Sequence, residues 1–134
     1  EDEPIARSLY QRRIGRETQQ CGFILNHEDI GWAGYSPDDL VGDDGLLEIK
    51  SRLAHIQAEL LDTRKVPRDS YLQMQFGLWV SERSWCDYVS YCRGMPLFVY
   101  RVERDEKQIA EIRQAVIDFY AEMNQKLTKL AEAA

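Results

Sequence analysis

The sequence predicts an α/β domain with a mixed central sheet flanked by helices, and three observations predict it. Short apolar runs broken by Gly, Asp and Pro occupy residues 20–50 and 84–102, where near-alternation reads as extended chain. Three other stretches, 51–65, 69–80 and 105–130, repeat apolar residues at steps of three or four, which is helical spacing. The whole chain has 134 residues, enough for one buried core and marginal for two.

Taken in order, Glu1 to Tyr10 reads as the start of a helix. Its acids sit where the positive helix end favours them, Pro4 suits a first turn, and Ile5, Leu9 and Ala6 form an apolar stripe. Arg12, Arg13 and Arg16 follow as the densest positive group in the first half. They read as a solvated turn, with contact to a phosphate as the functional alternative. Gln20 to Asn26 is expected to be a strand, His27-Glu28-Asp29 its polar hairpin tip, and Ile30 to Tyr35 the antiparallel return that delivers the chain to Ser36. A third strand follows Gly45.

After Lys50 the period changes. Leu53, Ile56, Leu60 and Leu61 make the expected buried side of a helix, leaving His55, Gln57 and Glu59 for solvent or substrate. Asp69 or Ser70 is a plausible cap for the next helix, through Val80, on which Tyr71, Met74 and Leu78 share a stripe and Leu72, Phe76 and Trp79 a second one. Ser84 to Tyr91 alternates as a strand, Arg93-Gly94-Met95-Pro96 turns, and Leu97 to Val102 is another strand, which brings the expected sheet to about five. Their aromatic residues read as core rather than as a base-stacking surface. From Asp105 to Leu130 one stripe of Ile109, Ile112, Val116, Phe119, Met123, Leu127 and Leu130 predicts a long helix covering the sheet.

Composition narrows the class. Hydrophobic content of 44% with three Trp and seven Tyr belongs to a folded domain and excludes a mainly disordered chain. The formal charge of -6 lies in residues 1–50, with 11 acids against 5 bases; residues 51–134 carry 12 of each. An acidic balance argues against nucleic acid unless cations and local Arg or Lys offset it. Cys21, Cys86 and Cys92 are odd in number and lack CxxC spacing, and His27 and His55 are the two His, so neither a disulfide scaffold nor a zinc site is supported and a cytoplasmic setting is expected. No apolar run is long enough to span a membrane. The chain begins at EDEPIARSLY without an initiator Met, from which an upstream segment is expected to be missing from a single domain over 1–134.

The chemistry concentrates in SPDDLVGDDGLLEIK, residues 36–50. Two-residue spacing puts Glu48 and Lys50 on one face of a strand, and a hairpin connection would bring Asp38 to the same place. Two carboxylates are hard oxygen ligands suited to Mg2+ or Mn2+, and a neighbouring amine can orient or deprotonate water or balance charge on a phosphorane, so the trio points to phosphodiester hydrolysis. The competing reading of the same residues is an acidic turn followed by a strand with a polar face.

The pattern PD, nine residues, then ExK resembles the core motif of the PD-(D/E)xK nuclease superfamily. The longer GYSPDDLVGDDGLLEIK, with YLQMQFGLWV, WCDYVSY and ERDEK downstream, is similar to phage recombination exonucleases of the lambda exonuclease or YqaJ-like type. The resemblance implies a restriction-endonuclease-like fold and a metal-dependent deoxyribonuclease, a 5′-to-3′ exonuclease on duplex DNA with a free end. It implies that Asp38 and Glu48 are metal ligands, that Glu3 of EPIAR is a third acid, and that Gln73, first of QxQ, lies at the active site. The carbonyl of Ile49 would complete the metal shell and Lys50 would assist the attacking water. Relatives commonly place Cys-Pro after ExK where this chain has Ser51-Arg52; these two residues are expected near a phosphate, and the departure bears on loop geometry. A ring-like homotrimer, a single-strand annealing protein as partner and a phage or prophage origin in a bacterial host are further implications. A restriction-like or repair endonuclease, and a catalytically inactive DNA-binding or assembly domain, remain the alternatives.

Overall fold

The computed structural model describes residues 2–22, 24–25 and 34–133. It falls into two compact units, Glu1–Arg104 and Asp105–Ala134. The expected tip at His27-Glu28-Asp29 and most of the expected strand from Ile30 lie outside the described residues.

The first unit begins with α1 (Glu3–Ile14). Pro4 sits in its first turn, and Gly15 closes it in the left-handed region at φ 73°, donating its N–H to the carbonyl of Gln11. Arg12 and Arg13 therefore belong to the last helical turn, not to a loop, where cations complement the negative helix end. The buried face differs from the expected one: Ala6 and Tyr10 are fully covered, whereas Ile5 is exposed. Ala6 and Tyr10 mark that face at a four-residue step, one position on from the Ile5 and Leu9 pair at the same step.

Next come β1 (Gln19–Gln20), β2 (Ile24–Leu25), β3 (Gly34–Tyr35), β4 (Asp39–Val41) and β5 (Gly45–Ser51). Two helices follow, α2 (Ala54–Thr63) and α3 (Arg68–Ser81), then β6 (Trp85–Tyr91) and β7 (Phe98–Glu103). Five strands form a mixed sheet in the order β1-β4-β5-β6-β7, as expected in number but not in membership. The hairpin read before Ser36 does not enter that sheet. Its described part is a separate antiparallel pair, β2 with β3, and the polar dipeptide Gln19–Gln20 takes the edge instead.

The central strand is β5. It pairs antiparallel with β4 across the turn Gly42-Asp43-Asp44 and parallel with β6 through a crossover containing α2 and α3. Leu46 and Leu47, consecutive and pointing to opposite faces, are both fully buried, so β5 is covered on both sides. On the α1 side Ala6, Tyr10, Val41, Leu47, Val89, Tyr91 and Leu97 form one core cluster.

A second correction concerns α2. Leu60 is buried as expected, but Leu53 and Ile56 are exposed and Gln57 is fully buried. The amide of Gln57 explains its position: Nε2 donates to the carbonyls of Ser90 and Pro96, each at 2.9 Å, and Oε1 accepts from Ser90 Oγ at 2.6 Å. A buried polar side chain with these partners is satisfied. On α3, Ser70, Met74, Gln75, Leu78, Trp79 and Val80 are buried, and Pro67, not Asp69 or Ser70, occupies the N-cap position.

The second unit is α4 (Glu106–Ala133), preceded by Asp105, whose carboxylate accepts from the N–H of Gln108 at 3.1 Å. The predicted stripe is present along it, with Phe119, Met123, Leu127 and Leu130 exposed.

Candidate active site

The turn between β4 and β5 lets the two halves of SPDDLVGDDGLLEIK fold back on one another. Asp38 lies just before β4, its N–H donating to the carbonyl of Leu47, and its Oδ2 accepts from the N–H of Ile49 at 2.6 Å. Asp38 is thereby pinned across β5 from the residue between Glu48 and Lys50. Those two side chains share a strand face, with Lys50 Nζ 3.9 Å from Glu48 Oε2.

The surroundings of these groups are unusual for carboxylates. Glu48 is 6% exposed, and its Oε1 accepts from the hydroxyl of Tyr35 at 2.5 Å. Burial is the main force on its acidity, reinforced by the charge of Asp38 and opposed by the Tyr35 hydrogen bond and Lys50; the result is a pKa pushed up to about 7. Asp38 is raised for the same first reason, with the Ile49 N–H opposing and the charge of Glu3 adding to the rise. Burial also raises Tyr35 well above the ordinary phenol range, next to the Glu48 charge, so the hydroxyl stays a donor.

Glu3 opens α1 and its charge is felt by both acids. Its Oε2 accepts from Arg7 Nη2 at 2.7 Å. Arg7 also binds Asp39, whose carboxylate is fully buried and accepts from Thr18 as well. Asp2, Glu3, Ala6, Ile49, Lys50, Ser51 and Tyr91 line a cavity of about 200 Å3. Ser51 Oγ donates to Asp2 Oδ2 at 2.9 Å on this cavity, and Arg52 Nη2 stands 3.5 Å from the hydroxyl of Tyr88.

The structure thus gathers Glu3, Ile49, Lys50 and Ser51 around one cavity, with Asp38 and Glu48 joined to it through β5. Arg12, Arg13 and Arg16 are exposed and do not line it. Gln73 is exposed on α3, and its described contacts include none with Asp38, Glu48 or Lys50; Gln75 is buried and donates to the carbonyl of Glu103 at 2.9 Å. Tyr35, Arg7 and Asp39 carried no role in the sequence reading. The signal available for Tyr35 was its place one residue before SPD, and that alone does not say which carboxylate it would meet.

Among the described residues, no three Asp, Glu, His or Cys side chains group closely enough to form a metal cage by themselves. The donor chemistry nonetheless fits a hard divalent cation. Two carboxylates held in a desolvated place, with the charge of Asp38 adding to the cost of ionising Glu48, are stabilised as anions by a bound cation, and no described hydrogen bond engages Asp38 Oδ1.

Comparison with known proteins follows the same residues. A family model described as the YqaJ-like viral recombinase domain matches residues 1–84, which include α1 to α3 and every candidate acid. The chain belongs to that family. It is also similar, at 38% identity, to the crystal structure of an alkaline exonuclease (LHK-Exo) from Laribacter hongkongensis, with a TM-score of 0.92 over 99% of this chain and 70% of that one. The complex of LHK-Exo with dAMP matches at 38% identity and a TM-score of 0.90, over 99% of this chain and 72% of that one. A phage related exonuclease from Haemophilus somnus 129PT, at 12% identity and a TM-score of 0.67 over 94% of this chain and 70% of that one, shares the fold. Comparison with curated protein sequences gives no match. For this YqaJ-like family member the mixed five-stranded sheet with its helices is the restriction-endonuclease-like α/β fold that the motif implied.

Proposed function

We infer that this chain is a deoxyribonuclease acting as an exonuclease, and that it hydrolyses phosphodiesters of linear duplex DNA in the 5′-to-3′ direction with Mg2+ or Mn2+. The observation that carries the reading is the juxtaposition of Asp38, Glu48 and Lys50 at β5, in a family member similar over almost its whole length to a protein described as an alkaline exonuclease.

Asp38 and Glu48 would hold the cation, the Ile49 carbonyl would contribute a further oxygen, and Glu3 would act directly or through water. A bound divalent ion supplies Lewis acidity to the phosphate and lowers the pKa of its water. Lys50, about a quarter exposed and beside Glu48, orients or deprotonates the attacking water and balances charge on the phosphorane. Ser51 and Arg52 follow directly on the same strand end and contact the phosphate backbone near the cut, while Arg12, Arg13 and Arg16 offer a more distant backbone contact. Gln73 flanks the substrate. The family name supports a role in viral recombination; the cytoplasm of a bacterial host, a single-strand annealing partner and a homotrimer, to be sought by sedimentation, complete the proposal. No described helix is long and apolar enough to cross a membrane.

Digestion of end-labelled linear duplexes beside a closed circle, with Mg2+ or with chelator, tests the reading. Metal-dependent loss of the 5′ label from linear DNA with the circle intact is expected. Cutting of the circle would favour a restriction-like or repair endonuclease, and metal-independent binding without cleavage an inactive DNA-binding domain.

A further inference from the structure

Two described side chains face Glu48 with a donor, and they are unequal. Lys50 Nζ at 3.9 Å is beyond hydrogen-bond length, whereas the Tyr35 hydroxyl at 2.5 Å is well within it. A carboxylate at the end of a flexible side chain has several rotamers, and the phenol selects one by occupying Oε1, which leaves Oε2 for the cation and for Lys50.

A donor fixes its acceptor only if it is itself fixed. Tyr35 is 5% exposed, its backbone is paired with Ile24, and its ring meets Phe76 edge to face at 6.4 Å. The decisive contact is with Gly77 on α3. A Cβ there would lie 2.5 Å from both Cε2 and Cζ of Tyr35 and 2.9 Å from Cδ2, distances that real Cβ contacts do not tolerate. Gly77 has ordinary helical geometry, so glycine is not required there for backbone conformation. It is required for the ring, which rests against bare helix backbone with its hydroxyl at Glu48.

We propose that Tyr35 is a positioning residue that aims Glu48 at the cation, and that Gly77 is the seat that sets the height of the Tyr35 ring. The inference rests on the metal-dependent nuclease reading above and adds to it a route by which α3 acts on the metal site through a glycine.

The test uses the full chain stripped of metal, with Mn2+ binding measured by calorimetry in the absence of DNA and melting of the metal-free protein followed in parallel. Loss of such an outer partner typically weakens metal binding on the order of 10-fold or more, and that is expected for Tyr35→Phe, with kcat reduced and KM for duplex DNA unchanged. Gly77→Ala is expected to weaken Mn2+ binding in the same direction, and it keeps the test open if Tyr35→Phe fails to fold. In a Tyr35→Ala background, where the ring is gone, Gly77→Ala should add no further weakening. Wild-type Mn2+ affinity in Tyr35→Phe, or an undiminished Gly77→Ala effect on the Tyr35→Ala background, overturns the proposal. If wild type itself neither binds Mn2+ nor cuts DNA, the nuclease reading falls and the proposal with it; if wild type does both and the variants match it, the proposal alone falls.

Discussion

Arg7 grips Asp39 with two nitrogens: Nε donates to both carboxylate oxygens at 2.8 and 3.0 Å, and Nη2 donates to Oδ1 at 2.7 Å. The same Nη2 reaches Glu3. One guanidinium therefore ties the start of α1 to the strand that follows Asp38. Since Asp39 is fully buried, truncating Arg7 to Ala leaves an uncompensated charge inside the protein, and a stability loss of about 3–5 kcal/mol is expected in urea unfolding. Arg7→Lys should recover only part of it, because a single ammonium does not reproduce the planar fork. A loss below about 1 kcal/mol for Arg7→Ala would contradict the role of this clamp.

Glu48 gives a pH dependence with a definite sign. Its folded pKa is about 7 against an ordinary value of 4.5, so across that window the folded chain holds more protons than the unfolded one. The contribution of Glu48 to the stability of the metal-free protein is therefore full below about 4.5 and is lost as pH rises through about 7. Raised Asp38 acts in the same direction. In chelator, the melting temperature of wild type should drop between pH 5 and pH 8 by more than that of Glu48→Gln, and the variant should be the more stable at the upper end. Parallel pH profiles would contradict this.

Gln57 serves two carbonyls and a hydroxyl that are otherwise enclosed. Gln57→Leu keeps the volume but strips those partners, and an unsatisfied buried group costs about 1–3 kcal/mol. A destabilisation in that range is expected by denaturant titration, with DNA cleavage retained at temperatures where the variant is folded. A neutral Gln57→Leu would mean that apolar packing, not the amide, holds α2 at the ends of β6 and β7.

The cysteines should separate by reactivity. Cys86 is fully buried and its thiol is pushed well above the ordinary value, whereas Cys21 and Cys92 are partly exposed. A disulfide reagent should titrate Cys21 and Cys92 in the native protein and Cys86 only after denaturant is added. Fast reaction of all three thiols would place Cys86 on a surface.

Strands β5, β6 and β7 and helix α3 were readable within about a residue or two because each is long enough to show its period. The two-residue β1 and three-residue β4 were not, since Gln19–Gln20 and Asp39–Val41 are too short to show a period. Sheet membership was equally hidden: the residues around Tyr35 look like a strand of the main sheet, and only the pairing shows β3 joined to β2. At the site, the spacing from Asp38 through Glu48 to Lys50 was visible because it is local. Tyr35 to Glu48, Gly77 to Tyr35 and Arg7 to Asp39 are tertiary relationships for which no period exists. Gln57 shows the same limit in reverse, a polar residue whose hydrogen bonds override its expected outward direction.

The parallel pairing of β5 with β6 also orders events in time. Strands β4 and β5 close over a turn of Gly42-Asp43-Asp44, whereas β6 arrives only after the whole α2 and α3 crossover has been placed. Loop closure favours the short contact first. In pulse-labelled refolding, amides of the β4–β5 hairpin should be protected before those shared by β5 and β6. Asp38 and Glu48 would then meet early, as a repelling pair in water, and the nascent chain would carry that repulsion until the later elements shut it in.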